Sequence, residues 1–219
     1  DYRSSRGLGD VYKRQMMIAH GLQLQVMGIR SVIENFSVIT TGLFMSGYYI
    51  GYFVGSKTTP TLVSKVGHIR VFAAFASLAS LSALLAVAYV NPFMWTISRF
   101  ITGISLVSCY VVSESWLNDR ATNKNRGQLL SAYMIVIYLG LSIGMLLLNV
   151  SDPINYEPFI LVSVLLSLAL VPILLTKRSA PKFKKIGTMS VAELYKISPL
   201  GSVSSFCTGI IHGGFFSLI

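Results

Sequence analysis

The chain has 219 residues, of which 53% are apolar and only 12% are charged. A soluble protein needs polar side chains over its surface, so this composition excludes an ordinary soluble domain and favours a surface that faces lipid. The formal net charge of +10 would suit a nucleic-acid-binding protein, but the basic residues form short clusters between long uncharged stretches. That distribution is typical of the cytoplasmic loops of a membrane protein, and no basic segment with interleaved aromatic residues accompanies it.

The first fifteen residues, DYRSSRGLGDVYKRQ, are polar and follow no helical or alternating pattern. Asp10 to Gln15 resembles the translated end of a transposon adapter used in preparing sequencing libraries, and a methionine pair follows at once. We therefore predict that residues 1–15 are adapter-derived and leave them out of the fold prediction. A native polar cytoplasmic tail is the alternative.

Long uncharged stretches recur along the rest of the chain. A helix needs about 20 mainly apolar residues to cross the hydrocarbon core of a bilayer. Residues 16–33 form a shortened first span that polar side chains interrupt, and Pro199 to Ile219 begins a last one. The stretches between them are residues 38–56, 71–90, 93–112, 128–150 and 159–176, which are uncharged except for Arg99. The sequence thus predicts an all-α membrane protein with six helices in residues 16–176, the first truncated, and the start of a seventh at 199–219.

Lysine and arginine are concentrated in every second predicted loop. The loops after the second, fourth and sixth spans are rich in them. The alternate loops contribute only Arg30 to this count, and they carry the acidic residues Asp152 and Glu157. Because positive charge is retained on the cytoplasmic side, the even-numbered helices are predicted to end in the cytoplasm. The natural N-terminus is then cytoplasmic as well, in a multi-pass protein of the plasma or bacterial inner membrane.

The longest basic loop, residues 177–198, is predicted to lie in the cytoplasm. Ser190 and Glu193 have the spacing of a capping box, which predicts a short helix in this loop. The basic run of Lys182, Lys184 and Lys185 is suited to contact anionic lipid headgroups. Enforcement of topology alone is the alternative explanation of that run.

Arg99 is the one charged residue inside the predicted fourth span. A cation in hydrocarbon costs at least about 2.5 kcal/mol, so we expect Arg99 to face a protein partner or a water-filled cavity. There it would bind an anionic substrate or tune a proton-binding carboxylate; snorkelling to the outer interface is the alternative. Tyr110 falls on nearly the same helical face, and Gln23 and Tyr48 are further candidates for lining a substrate cavity.

Two acidic residues are spaced to form ion pairs. Glu114 lies at the inner end of the fourth span, and we predict that it pairs with Arg126 in a salt bridge that closes the inner side and can break. A solvated loop acid is the alternative. Arg30 and Glu34 lie four residues apart in the first helix and are spaced to form a second pair.

Glycine recurs at every fourth residue in two predicted spans, as Gly47, Gly51 and Gly55 in the second and as Gly140 and Gly144 in the fifth. Such small-residue stripes let helix backbones approach closely, so both are interpreted as packing surfaces. We consider a helix of an absent second half as the partner of the first stripe.

The sequence carries no metal-ligand cluster, phosphate-binding loop or nucleophile motif. The three histidines, His20, His68 and His212, are scattered and are interpreted as packing or hydrogen-bonding residues. We therefore predict no metal, no cofactor and no enzymatic activity.

The order of elements resembles the N-terminal half of the major facilitator superfamily, and the resemblance covers Met16 to Ile219. The segment SKVGHIR at 64–70 resembles that family's loop signature, with matches at Lys65, Gly67 and Arg70, although Ser64 replaces the usual Asp.

Two further segments support this resemblance. Arg99 with Gly103 four residues later resembles a fourth-helix motif that the family associates with proton coupling. The segment ESWLNDR at 114–120, with Arg126 and Gly127 after it, is similar to a subgroup of bacterial transporters with unassigned substrates.

The resemblance implies a twelve-helix fold, of which this chain holds the six-helix N-terminal bundle and the start of the seventh helix. Members work by alternating access, in which two six-helix halves rock around a central site, here with a proton gradient as the driving force. The implied partners are the lipid bilayer, a small solute, protons and the missing C-terminal half, with no nucleic acid. A non-transporting membrane receptor or assembly subunit is the alternative.

Overall fold

The computed structural model describes residues 2–175 and 190–218. Within these ranges the chain forms α-helices, a short 3-10 turn and connecting turns, with no strand. The all-helical class is thus confirmed. The basic run of Lys182, Lys184 and Lys185 lies outside the described residues.

The helices follow the predicted spans in order. They are α1 (Tyr2–Ile33), α2 (Val38–Val66), α3 (His68–Ala88), α4 (Pro92–Arg120), α5 (Arg126–Leu147), α6 (Glu157–Leu168), α7 (Leu170–Leu174), α8 (Val191–Ile197) and α9 (Pro199–Leu218). Helices α6 and α7 together form the predicted sixth span, and a 3-10 turn at Leu148–Val150 extends α5.

Four helical stretches in the described part of the chain are long and apolar enough to cross a membrane. They are His68–Ala88, Pro92–Asp119, Arg126–Val150 and Glu157–Leu174. They correspond to the third to sixth predicted spans. Helix α2 has the length but carries many glycine, threonine and tyrosine residues, so the count of six spans stays a prediction.

Helix α1 includes residues 2–15, which the fold prediction leaves out. These residues contain no proline, and they extend a helix that is already formed from Met16 onwards, so adding each further turn costs little. Tyr12 and Lys13 are buried. The adapter origin of this segment stays a prediction, because an added segment can continue a helix as readily as a native one.

Short polar caps begin α2 and α4. The Ser37 side chain accepts a hydrogen bond from the Thr40 amide at 3.1 Å, which satisfies a donor that the helix itself leaves free. The Asn91 side chain accepts from the Phe93 amide at 2.9 Å, and Pro92 occupies the first turn of α4. These caps fix where each helix begins.

The first seven helices pack as one unit. Helix α4 lies between α2 and α3, α3 also contacts α6, and α1 lies between α6 and α5. The spatial order is therefore α2, α4, α3, α6, α1, α5. Helix α4 contacts a neighbouring helix on two sides, and half of its most apolar stretch is buried.

Glycines set the distance between α2 and α4. A Cβ atom added to Gly51 would collide with the Phe100 carbonyl oxygen, and one added to Gly103 would collide with the Tyr48 carbonyl oxygen. Backbone therefore contacts backbone, which gives close packing without side chains between the helices. The partner of the stripe formed by Gly47, Gly51 and Gly55 is α4 of this chain, and not a helix of an absent half.

The second stripe joins α5 to α1. A Cβ atom added to Gly140 would lie 2.5 Å from the Met17 Cβ, and one added to Gly144 would collide with the Ile18 carbonyl oxygen. Gly21 makes the corresponding close contact from α1, because its added Cβ would collide with the Leu141 carbonyl oxygen. Glycine-mediated backbone contact thus sets the spacing of two helix pairs in this unit, α2 with α4 and α1 with α5.

Hydrogen bonds and an ion pair mark the two ends of this unit. His68 Nε2 lies 2.9 Å from the Ser115 hydroxyl, which joins the start of α3 to the end of α4. At the other end, Arg30 and Glu34 form the expected ion pair at 2.7 Å. Arg30 also donates to the Pro153 carbonyl oxygen at 3.2 Å, which ties α1 to the turn before α6.

Helices α8 and α9 belong to a second unit of the chain. Ser190 and Glu193 form both halves of the capping box: the Ser190 hydroxyl accepts from the Glu193 amide at 3.2 Å, and the Glu193 carboxylate accepts from the Ser190 amide at 2.7 Å. The short helix α8 therefore begins where the spacing predicts. Its place in the cytoplasm stays a prediction.

Replacing Gly51 by leucine should destabilise this unit by about 1 to 3 kcal/mol or more, because the added side chain must push two backbones apart. Gly42 lies on the same helix, and its added Cβ would meet nothing within 4 Å, so Gly42→Leu is the matched control. Both variants can be unfolded with sodium dodecyl sulfate in mixed micelles while circular dichroism is recorded. Equal unfolding midpoints for the two variants would contradict the close α2–α4 contact.

Candidate functional site

Arg99 lies in the second turn of α4 and is only 2% exposed. Its guanidinium carbon is 4.9 Å from the centroid of the Tyr48 ring on α2, a cation–π distance. Among the described residues, its Nε and Nη1 atoms have no hydrogen-bond partner. A snorkelling arginine would extend its charge to the surface, so the structure favours the alternative in which Arg99 faces the protein interior.

The glycine contact explains how α4 buries this cation. Gly103, one turn beyond Arg99, contacts the Tyr48 backbone, and this contact brings the Tyr48 ring to the level of the guanidinium. A Cβ on Gly47 would lie 3.7 Å from the Arg99 Cβ and 2.9 Å from the Thr96 carbonyl oxygen. The arginine and the glycine of this motif therefore act together: the glycine sets the helix distance and the arginine occupies the space beside it.

His20 of α1 lies against the same tyrosine. Its ring stacks on Tyr48 with centroids 5.4 Å apart and an interplanar angle of 20°. The Nδ1 atom is buried and has no partner within the described part of the chain. The sequence predicts a packing or hydrogen-bonding role for His20; its position three residues before Gln23, on one face of α1, was the signal that the two side chains lie close together.

Gln23 takes part in a buried hydrogen-bond layer, and its predicted place in a substrate cavity stays a prediction. It is 1% exposed, and its Nε2 donates to the Thr102 hydroxyl at 3.2 Å. The Thr102 and Ser82 hydroxyls lie 2.8 Å apart, and the Ser98 hydroxyl donates to the Ser82 carbonyl oxygen at 2.7 Å. In this conformation Gln23 joins α1 to α4 and, through Thr102, to α3.

A line of tyrosines leads from Arg99 towards Glu114. The ring centroids of Tyr48 and Tyr52 are 6.0 Å apart, and those of Tyr52 and Tyr110 are 6.5 Å apart. Lys13 lies over the Tyr110 ring at 3.6 Å and near the Tyr133 ring at 4.8 Å. We call Tyr48, Tyr52, Tyr110 and Tyr133 the tyrosine line. No role is assigned to Lys13, which belongs to the segment predicted to be adapter-derived.

Two members of the tyrosine line, Tyr52 and Tyr133, are absent from the sequence prediction. Tyr52 follows Tyr48 by four residues, and this helical spacing was the available signal. Tyr110 was predicted from its helical face, and the structure shows its hydroxyl donating to the Met17 sulfur at 3.1 Å.

Glu114 is exposed and accepts a hydrogen bond from the Tyr133 hydroxyl of α5 at 3.3 Å. Over the ranges that the structure covers, no ion pair joins Glu114 to Arg126, so the expected salt bridge is absent from this conformation. The reason is the register of α5. Arg126 is the first residue of that helix and is exposed, whereas Tyr133, two turns further along, reaches the carboxylate.

The loop motif forms the turn between α2 and α3. Gly67 has φ +91°, which side chains other than glycine adopt only under strain. Lys65 and Arg70 are exposed on either side of it. Ser64, which replaces the family's usual Asp, donates to the Thr61 carbonyl oxygen at 2.8 Å and so bonds within its own helix.

No group of three or more His, Cys, Asp or Glu residues in the described ranges could hold a metal ion. The chemistry that these side chains offer is binding, through a buried cation with free donors, a histidine nitrogen against the same tyrosine, and a line of aromatic faces and hydroxyls.

Comparison with known proteins gives a consistent result. The Major Facilitator Superfamily profile matches residues 16–219. The "Uncharacterized MFS-type transporter YcaD" of Escherichia fergusonii is 29% identical over 190 residues, which are 85% of this chain and 49% of that protein. YcaD of Escherichia coli O6:K15:H31 is 28% identical over 188 residues, with the same coverage. The chain spans about half the length of these curated relatives.

The family match includes α1 from Met16, the turn at Gly67, and the pair of Arg99 and Gly103 at the α2–α4 contact. Because it covers nearly the whole chain, this protein belongs to the Major Facilitator Superfamily.

Proposed function

We propose that this chain is the N-terminal half of a secondary transporter in the plasma or bacterial inner membrane, which moves a small solute by alternating access and is driven by protons. The observation that carries the proposal is Arg99, a cation buried between membrane helices with donors that no described residue satisfies. Intramembrane charges of this kind mark substrate or ion pathways. The names of the matched relatives also describe transporters.

The orientation of this half follows from its charges. The basic loops after α2 and α4 lie together, because His68 at the start of α3 contacts Ser115 near the end of α4. The turns after α1 and before α6 meet at the opposite end, through Arg30 and Pro153. With the basic end in the cytoplasm, the natural N-terminus is cytoplasmic too.

Glu114 is proposed as a gating residue. One hydrogen bond from Tyr133 holds it in this conformation, while Arg126 lies exposed at the start of the same helix. An exposed pair of this kind contributes about 0 to 1 kcal/mol, so it can form and break at little cost. We infer that Glu114 exchanges Tyr133 for Arg126 when the inner side closes.

The alternative of a non-transporting receptor or assembly subunit is not favoured, because family and relatives both point to transport. The same comparison points away from an enzyme.

The Arg99→Met variant of the complete transporter should lose about 10- to 100-fold in transport rate, because hydrogen bonds to a charged group contribute about 1.5 to 3 kcal/mol. Proteoliposomes that contain a pH-sensitive dye would report proton movement across a panel of small solutes. Lys124→Met removes an equal charge from an exposed turn and should keep the full rate. Full-rate transport by Arg99→Met would contradict a coupling role.

The gating proposal predicts that Glu114→Gln and Arg126→Gln each slow transport, and that the double variant is no slower than the slower single one. Their partnership is lost in either single variant, so the effects should not add. Initial rates of solute exchange in proteoliposomes provide the measurement. Additive effects would show that the two residues act independently. The Tyr133→Phe variant removes only the hydrogen bond to Glu114, so it separates the effect of losing that bond from the effect of losing the pair with Arg126.

A further inference from the structure

We propose that Arg99, His20 and Tyr48 bind the carboxylate group of a small organic anion with an apolar body. The inference rests on the proposed function only in naming this anion as the transported solute. Its starting point is two buried groups without partners in the described chain, the Arg99 guanidinium and the His20 Nδ1, which lie against one tyrosine.

These two groups contact the same tyrosine ring from different helices. His20 comes from α1 and Arg99 from α4, with ring-centroid and guanidinium distances to Tyr48 of 5.4 Å and 4.9 Å. A buried charged donor without an acceptor is more costly than a buried neutral one. A water molecule would supply an acceptor, whereas an anion supplies the acceptor and also neutralises the charge.

The charges around Arg99 indicate the charge of the ligand. The ring that Arg99 contacts is the neutral Tyr48 phenol, and within the described residues no carboxylate pairs with it. This favours an anionic ligand over the alternative in which Arg99 tunes a carboxylate of the same bundle. One formal positive charge is balanced by a monoanion, whereas a phosphate dianion would leave excess negative charge in a low-dielectric site.

The donors of the guanidinium suit the oxygens of a carboxylate. Its free Nε and Nη1 atoms lie on different edges of the guanidinium plane, so each can donate a hydrogen bond to a ligand oxygen. Tyr52 of the tyrosine line and Tyr49, which precedes it on α2, are 38% and 39% exposed. These rings offer apolar faces on which a flat hydrocarbon or aromatic body can stack. A monocarboxylate with such a body fits the site.

Benzoate is a suitable probe, because it combines one carboxylate with one ring, and benzamide is its uncharged counterpart. Radiolabelled benzoate binding to the 219-residue chain in lipid nanodiscs should be saturable, and benzamide should compete at least about tenfold less well. Arg99→Met should abolish binding. His20→Phe keeps the ring stacked on Tyr48 and removes Nδ1, so it should weaken binding by about tenfold or more, because one hydrogen bond to the charged carboxylate is lost.

Lys124→Met, which loses an exposed charge, should bind benzoate as the unmodified chain does. Absence of saturable binding, equal competition by benzamide, or unchanged binding in Arg99→Met would overturn the inference. If Arg99→Met does not fold, Arg99→Lys and His20→Phe provide the test. Unchanged benzoate binding in both of these variants would also overturn the inference. Benzoate binding without any transport by the complete protein would contradict the proposed function and leave this site intact.

Discussion

Backbone contact between α2 and α4 is the constraint on which the candidate site depends. Gly51 against Phe100 and Gly103 against Tyr48 leave no room for a side chain between the two helices. Because the backbones are so close, the Tyr48 ring lies beside the Arg99 guanidinium and closes the interior around it. Packing and charge are thus linked, since a wider helix pair would let water or lipid reach the cation.

A buried cation is costly in a membrane protein, and this fold offsets only part of that cost. The ring of Tyr48 provides a cation–π contact, while the Nε and Nη1 donors of Arg99 stay free among the described residues. A helix selected for stability alone would carry an apolar residue at this position. Because the fold does not satisfy these donors, they are available to the proposed ligand. The tyrosine line extends from Arg99 towards Glu114.

The sequence predicts features that depend on one helix at a time. Uncharged stretches give the helices, the spacing of Ser190 and Glu193 gives a cap, and Arg30 pairs with Glu34 one turn away. Features that depend on the register between helices are harder to predict. Glu114 contacts Tyr133 and not Arg126, because the residue of α5 at the level of Glu114 lies two turns beyond the start of that helix. No pattern within one helix determines this alignment between two helices.

The same reason explains the partners found on α1 and α2. Gln23 donates to Thr102 of α4, whereas His20 stacks on Tyr48 of α2 and keeps a nitrogen without a described partner, a difference that side-chain geometry decides. The partner of the Gly47 stripe could be identified only once the contacting helix was known.

The distance between the Arg99 guanidinium and the Tyr48 ring tests the account most directly. Solid-state NMR can measure it in lipid bilayers with nitrogen-labelled arginine and carbon-labelled tyrosine, with Arg99→Lys used to assign the signal. We predict a distance near 4.9 Å from the guanidinium carbon to the ring centroid. A guanidinium outside the range of the dipolar coupling and in contact with bulk water would contradict a cation held inside the bundle by the glycine contact.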